Sequence, residues 1–404
     1  MVSVSWRKNL YAIFVAEFVV LSGFSFASPF MALYIQQLGN FTNQESAFWA
    51  GIATGCSGIA MFLSSPLWGI IADRWGRKPM VLRAMFGSAI VIALNGIAPN
   101  IYCLVALRFA QGLLSGTIAA ASALVGASTP RDKMPFAMGL IALALYGGTT
   151  IGPLIGGVIA DAVGYQAAFF ITGAILFSGG LIVIFFVKEK FVRPVHSQGN
   201  SLVNTLKLAK SKEILPLLLV LCTLHLGPSM ILPMIPLFIR QLNAEGTIAT
   251  SAGLAFCFMG IISAVSAAIA GRIGGRISLK KMLVFSCIIT GLLYLPPMWA
   301  GTVTQLVIFI ALTGLLQGGI MTSSQALVGL SASGSQQGVI YGLAQSANAI
   351  GAGIGPLLGG SLASGLGLKP IFGVAAGIYI VVGIFIKKIL TGNLYRDISL
   401  KEEI

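Results

Sequence analysis

Five polar side chains stand inside long apolar stretches of this chain: Glu17, Arg108, Gln111, His225 and Gln317. An ionisable or amide group taken out of water is costly unless it is paired or put to use, so each needs a physical reason. Glu17 offers proton chemistry. Burial disfavours a carboxylate's charge, so such a group can load a proton from one side and release it when exposed to the other; it can also attract a cation. The plainer reading is a carboxylate near a membrane edge, paired with Arg7, Lys8 or another cation there. Arg108 either tunes a neighbouring protonation site through its fixed charge or satisfies carbonyls released by bent, glycine-rich helices, and Gln111, one turn on, fits both. His225 is the only histidine inside an apolar run and its imidazole suits proton transfer. It also neighbours Pro228, Pro233 and Pro236, whose missing donors leave carbonyls for it to bond. Asp161, at the end of an apolar run, reads as interfacial or as a point of proton entry. Gln325, Gln345 and Asn348 read as hydrogen-bonding groups between packed helices.

The elements that hold these residues are membrane helices. The chain is 56% hydrophobic and only 9% charged, with a mean hydropathy of +0.93, whereas a soluble domain is roughly a quarter charged. Apolar runs of about 20 residues, enough to cross a bilayer as helix, recur throughout. They predict twelve spans, at 10–36, 47–72, 80–98, 101–125, 134–162, 166–188, 213–241, 250–273, 281–300, 303–329, 335–364 and 369–388. The alternation of a β-barrel is absent, so the fold class is an all-α membrane protein. The first run follows Trp6-Arg7-Lys8 and contains Ala27-Ser28, as a signal peptide would, but at about 27 residues it is too long for such a core.

The net charge of +14 reports orientation. With both termini cytoplasmic, every Lys and Arg except Arg108, Arg240 and Lys369 falls on or beside a cytoplasmic segment, the positive-inside pattern of a cell (inner) membrane protein. No nucleic-acid partner is implied. Cys56, Cys103, Cys222, Cys257 and Cys287 all lie in spans without metal-like spacing, so neither a disulfide framework nor a metal is expected. By a rise of about 1.5 Å per residue, Glu17 and Arg108 differ in depth by about one to two helical turns, which argues against a direct ion pair.

The longest polar interval, residues 189–212, separates six spans (1–188) from six (213–404). The second set repeats the first: YGGTTIGPLIGG (146–157) returns as NAIGAGIGPLLGG (348–360), and ALRFAQG (106–112) is echoed by ALTGLLQGG (311–319). Transporters that alternate about a midplane site are built from such repeats. Gly148, Gly152, Gly156 and Gly157 recur at helical spacing, presenting a flat face to a neighbour, and Pro153 removes a backbone hydrogen bond and bends the helix. A charged loop, GIIADRWGRKPM (69–80), contributes Asp73, Arg74, Arg77 and Lys78 between Gly69 and Gly76. Its cations serve as cytoplasmic anchors, but topology does not call for the acid.

These motifs resemble those of the major facilitator superfamily. GIIADRWGRK is similar to its signature loop, LRFAQG to its fourth-helix motif with a buried Arg, and GGTTIGPLIGG to the fifth-helix motif of its twelve-span drug/proton antiporters. The resemblance implies that the first, fourth, seventh and tenth spans line a central cavity, so that Glu17, Arg108, His225 and Gln317 face substrate or water. It implies that the fifth-helix surface seals the cavity between the halves, and that Asp73 latches the inner side to the N-terminus of helix eleven. The second-half loop GRIGGRISLKK (271–281) has Gly275 where that acid would repeat.

The function expected on this basis is proton-driven export of lipophilic or amphiphilic small molecules by a monomer in membrane lipid, without cofactors. Uptake of a sugar or small organic metabolite is the alternative, although anionic cargo would call for more cavity cations. A membrane-embedded enzyme would need a placed nucleophile and base or a metal cluster, and no GxSxG, HExxH or Walker loop is present. A transport-dead sensor would be expected to carry long soluble extensions.

Overall fold

Twelve helices long and apolar enough to cross a membrane occur among the described residues. The structure is a computed structural model and describes residues 6–130, 133–189, 207–211, 214–242, 247–273, 277–330 and 337–389. Most of the 189–212 linker lies outside that set, as does Gly275. The spans are α1 (Trp6–Ala27), α2 (Asn43–Trp75), α3 (Arg77–Asn95), α4 (Ile101–Gly126), α5 (Met134–Val163) and α6 (Tyr165–Phe186), followed by α7 (Ile214–Leu242), α8 (Ile248–Ile273), α9 (Leu279–Trp299), α10 (Val303–Leu330), α11 (Gln337–Leu366) and α12 (Lys369–Ile389). Each matches one apolar run of the sequence. An even number of crossings puts Trp6 and Ile389 on one face, termed near; the opposite face is far.

Local signals explain the joints. Thr42 caps α2 in a reciprocal box with Glu45, satisfying donors the first turn cannot pair internally. Past α1 the chain makes a 3-10 turn at Ser28–Phe30 and runs on as a short helix, Met31–Leu38. The seventh span does the same at Leu232–Met234 before Ile235–Leu242. Pro29 and Pro233 occupy the equivalent places, because a proline is tolerated where a helix restarts.

The repeat seen in sequence governs packing. Helix α1 packs on α5, α2 on α4 and α3 on α6; in the second set α7 packs on α11, α8 on α10 and α9 on α12. The two sets meet mainly through α2 against α11 and α5 against α8. Those seams are tight toward the far face. A Cβ on Gly58 would lie 2.7 Å from the Gly353 Cα, one on Gly360 3.0 Å from the Gly51 Cα, and one on Gly253 2.9 Å from the Leu154 Cα. Gly139 on α5, Gly271 on α8 and Gly342 on α11, toward the near face, and Gly365 at the far end of α11 are exposed, with nothing within 4 Å of an added Cβ. The two sets are closely apposed on the far side.

Candidate functional site

Glu17 lies on the inward side of α1, 0% exposed, and neither carboxylate oxygen finds a hydrogen-bond partner within the protein. The pairing with Arg7 or Lys8 that sequence position allowed is not made; Arg7 instead sits over the Trp6 ring. The group beside Glu17 is the Thr117 hydroxyl, and Thr117 begins a helix. The fourth span, read from sequence as continuous, is broken into Ile101–Leu114 and Thr117–Ser128. Gly116, at φ 108°, takes a backbone conformation that disfavours a side chain.

The break frees carbonyls that neighbouring helices satisfy. The Trp68 indole N–H donates to the Leu113 carbonyl at 2.7 Å, and an Arg83 Nη donates to that of Ser115 at 3.3 Å. The guanidinium lies 3.7 Å over the Trp68 ring, a cation–π contact that joins both supports. Helix α4 therefore presents the start of a half-helix, with its unpaired N–H groups, close to a buried carboxyl. Discontinuous helices in transporters place their termini at charged groups in this way. Neither Trp68 nor Arg83 was singled out from sequence, although the Ser115-Gly116 dipeptide is a turn signal that could have located the break.

Arg108 and Gln111 are both buried and paired with each other: an Arg108 Nη donates to the Gln111 Oε1 at 2.7 Å. No bond links Arg108 to Glu17, as the depth difference anticipated. The next residue, Gly112, has no room for a side chain because α2 passes at Ser57 and Ala60. In the second set His225 is half-buried with an unpartnered Nδ1, and the Gln317 Oε1 is likewise unpartnered. Asn348 donates to the Gln345 Oε1 at 3.0 Å. The structure does not draw Glu17, Arg108, His225 and Gln317 into one hydrogen-bonded cluster. They are separate polar points.

The glycine–proline motif has two faces. Gly148, Gly152 and Gly156 press on α1 of their own set, at Ser22, Ser25 and Phe26; Thr150, Pro153, Leu154 and Gly157 meet α8, at Gly260, Gly253 and Ala249. The copy in α11 divides identically: Gly351, Gly355 and Gly359 face α7, whereas Gly360 and Pro356 face α2. The motif thus presents one face to its own half, through Gly148, Gly152 and Gly156, and another to the opposite half, through Thr150, Pro153, Leu154 and Gly157.

In the charged loop, Gly76 turns the chain at φ 98° between α2 and α3. The side chains of Asp73 and Arg74, and Gly69, lie outside the described residues. Arg77 and Lys78 do more than mark topology. Their backbone N–H groups donate to the Glu189 carboxylate at 2.8 to 3.1 Å, and the Lys78 ammonium donates to the Ile184 and Val187 carbonyls at 3.0 and 2.7 Å. The loop is stapled to the end of α6, each partner complementing a helix dipole. Glu189, an acid in the polar interval, went unnoticed in the sequence. Among the described residues no three His, Cys, Asp or Glu side chains gather to hold a metal.

A family model for the Major Facilitator Superfamily matches residues 13–265 and 217–395 in two overlapping segments. The chain is 33% identical over 389 residues to the multidrug resistance protein MdtG of Citrobacter koseri, and 32% identical over 387 residues to that of Salmonella typhimurium, covering 95% of this chain and at least 95% of each relative. Among solved structures it resembles the nucleoside transporter NupG, with a TM-score of 0.78 at 12% identity over 95% of this chain and all of that one. The human organic anion transporter MFSD10 superposes with a TM-score of 0.71 at 17% identity, over 95% and 99% of the two chains. At such identities the two structures bear on fold alone.

Proposed function

The chain belongs to the Major Facilitator Superfamily, and from that premise we propose that it exports lipophilic or amphiphilic small molecules in exchange for protons by alternating access. It is a multi-pass membrane transporter; the exchange mechanism and cargo class are our reading. Glu17 carries it: a buried carboxyl without a partner in the protein, midway along α1 and next to a helix break. Such a carboxyl can exchange a proton as access alternates. The relatives named for multidrug resistance support the direction and the breadth of cargo.

In this reading the near face is cytoplasmic, in a cell (inner) membrane, and residues 1–188 and 213–404 rock as two bodies joined by the 189–212 linker. The functional unit is a monomer driven by the proton gradient without a cofactor. Proteoliposomes with an imposed pH gradient test it: an amphiphilic dye should move against its own gradient, opposite to the protons. Dye movement along with the protons would instead favour proton-coupled uptake.

Asp73 enters as the latch for the inner side. Asp73→Asn should insert normally yet reduce gradient-driven dye transport several-fold, because loss of charge removes the attraction to a helix N-terminus. Full activity of that variant would leave the loop with its topological and stapling roles only.

A further inference from the structure

Asp161 stands at the far end of α5, one turn beyond Gly157. Its carboxylate reaches across the seam to the first turn of α8, in the other set of six helices. One oxygen accepts from the Ala249 backbone N–H at 3.2 Å; the other accepts from the Thr250 backbone N–H and from the Thr250 hydroxyl, each at 2.7 Å. The first turn of a helix leaves donors unpaired, and a side chain just upstream in the same chain ordinarily satisfies them. Here the acceptor comes from a residue 88 or 89 positions earlier, on a body that alternating access requires to move.

We infer that Asp161 is a far-face latch: an N-terminal cap for α8 supplied by the opposite set of helices, formed only while the far side is closed. Three features support the assignment. The bonds cross between the two sets. They complement the positive end of the α8 dipole, so the carboxylate's charge adds to the geometry. They also sit at the tightest part of the seam, where Gly157 brings the α5 backbone against Ala249 and Thr250. A second bridge lies nearby: Arg240, at the far end of α7, donates to Gln36 of the helix that follows α1. Tyr165 lies close enough to feel both the Asp161 and the Arg240 charges. The far closure is therefore partly polar and can be undone by water, which replaces each bond when the seam opens.

The inference rests on the alternating-access part of the proposed function but not on protons or cargo. Hydrogen–deuterium exchange on the full-length protein in lipid nanodiscs tests it without substrate. Asp161→Ala should speed exchange at the start of α8 and at the far-face portions of α2 and α11. It should at the same time slow exchange in the near-face portions of α5, α8 and α11, as the population shifts about five- to tenfold toward an outward-open form. Thr250→Val, which keeps both backbone bonds, should shift it in the same direction by less, and gives the answer if Asp161→Ala does not insert. Faster exchange confined to residues 248–251, with the near face unchanged, would make Asp161 a local cap only and overturn the inference. A transport failure with the reciprocal exchange pattern intact would count against proton export and not against the latch.

Discussion

Glu17→Gln should fold, insert and bind cargo, yet lose more than about tenfold of its pH-gradient-driven transport. Glutamine has nearly the shape of a protonated glutamate, so it suits a fully buried position whose oxygens have no partner in the protein. It cannot release a proton, however, and the variant would be held in the loaded form at every pH. The expected signature is a split: substrate binding and counterflow, which need no net proton movement, persist, while accumulation against a gradient disappears. Glu17→Asp should retain part of the coupling, because the acid survives although its reach to Thr117 is shorter. Normal coupling in Glu17→Gln, measured in proteoliposomes at matched protein density, would reduce Glu17 to a structural residue. Attention would then pass to His225 of α7, whose Nδ1 is likewise unpartnered.

Much of this architecture could be read from sequence because membrane helices are encoded by length and polarity, two properties a linear reading captures. All twelve spans and the pairing of motifs between halves follow from such signals. What escaped was of two kinds. The break in α4 occupies two residues inside a run that remains apolar on average, so Ser115-Gly116 is lost in any window wide enough to find a span. The caps were hidden for a different reason. Asp161 with α8, Glu189 with α3 and Trp68 with Leu113 join residues far apart in sequence, and the residue type alone does not say which helix end or freed carbonyl lies opposite. Periodicity likewise showed that Gly148, Gly152 and Gly156 share a face, but not that α1 is what they meet.

That division of the glycine motif leads to a pair of variants with opposite phenotypes. Gly253 faces the Pro153 carbonyl and the Leu154 Cα across the seam between the two sets, whereas Gly148 faces Ser22, Leu21 and Phe18 within one set. Valine at either place is overpacking against backbone, worth about 1–3 kcal/mol. In Gly253→Val the clash exists only while the far face is closed, so the protein escapes it by opening. Its melting temperature should stay near that of the parent, while the penalty displaces the conformational equilibrium by about 5- to 150-fold and cuts transport by at least about tenfold. In Gly148→Val no rocking of the two bodies relieves the contact, since α1 and α5 travel together. The cost falls on stability, about 2–4 °C of melting temperature per kcal/mol for a bundle of this size. Thermal denaturation in nanodiscs, run beside transport in proteoliposomes, separates the two. If Gly253→Val proved the less stable and Gly148→Val the conformationally trapped one, the assignment of the two faces would be reversed, and the seam that closes the far side would have to run along α1.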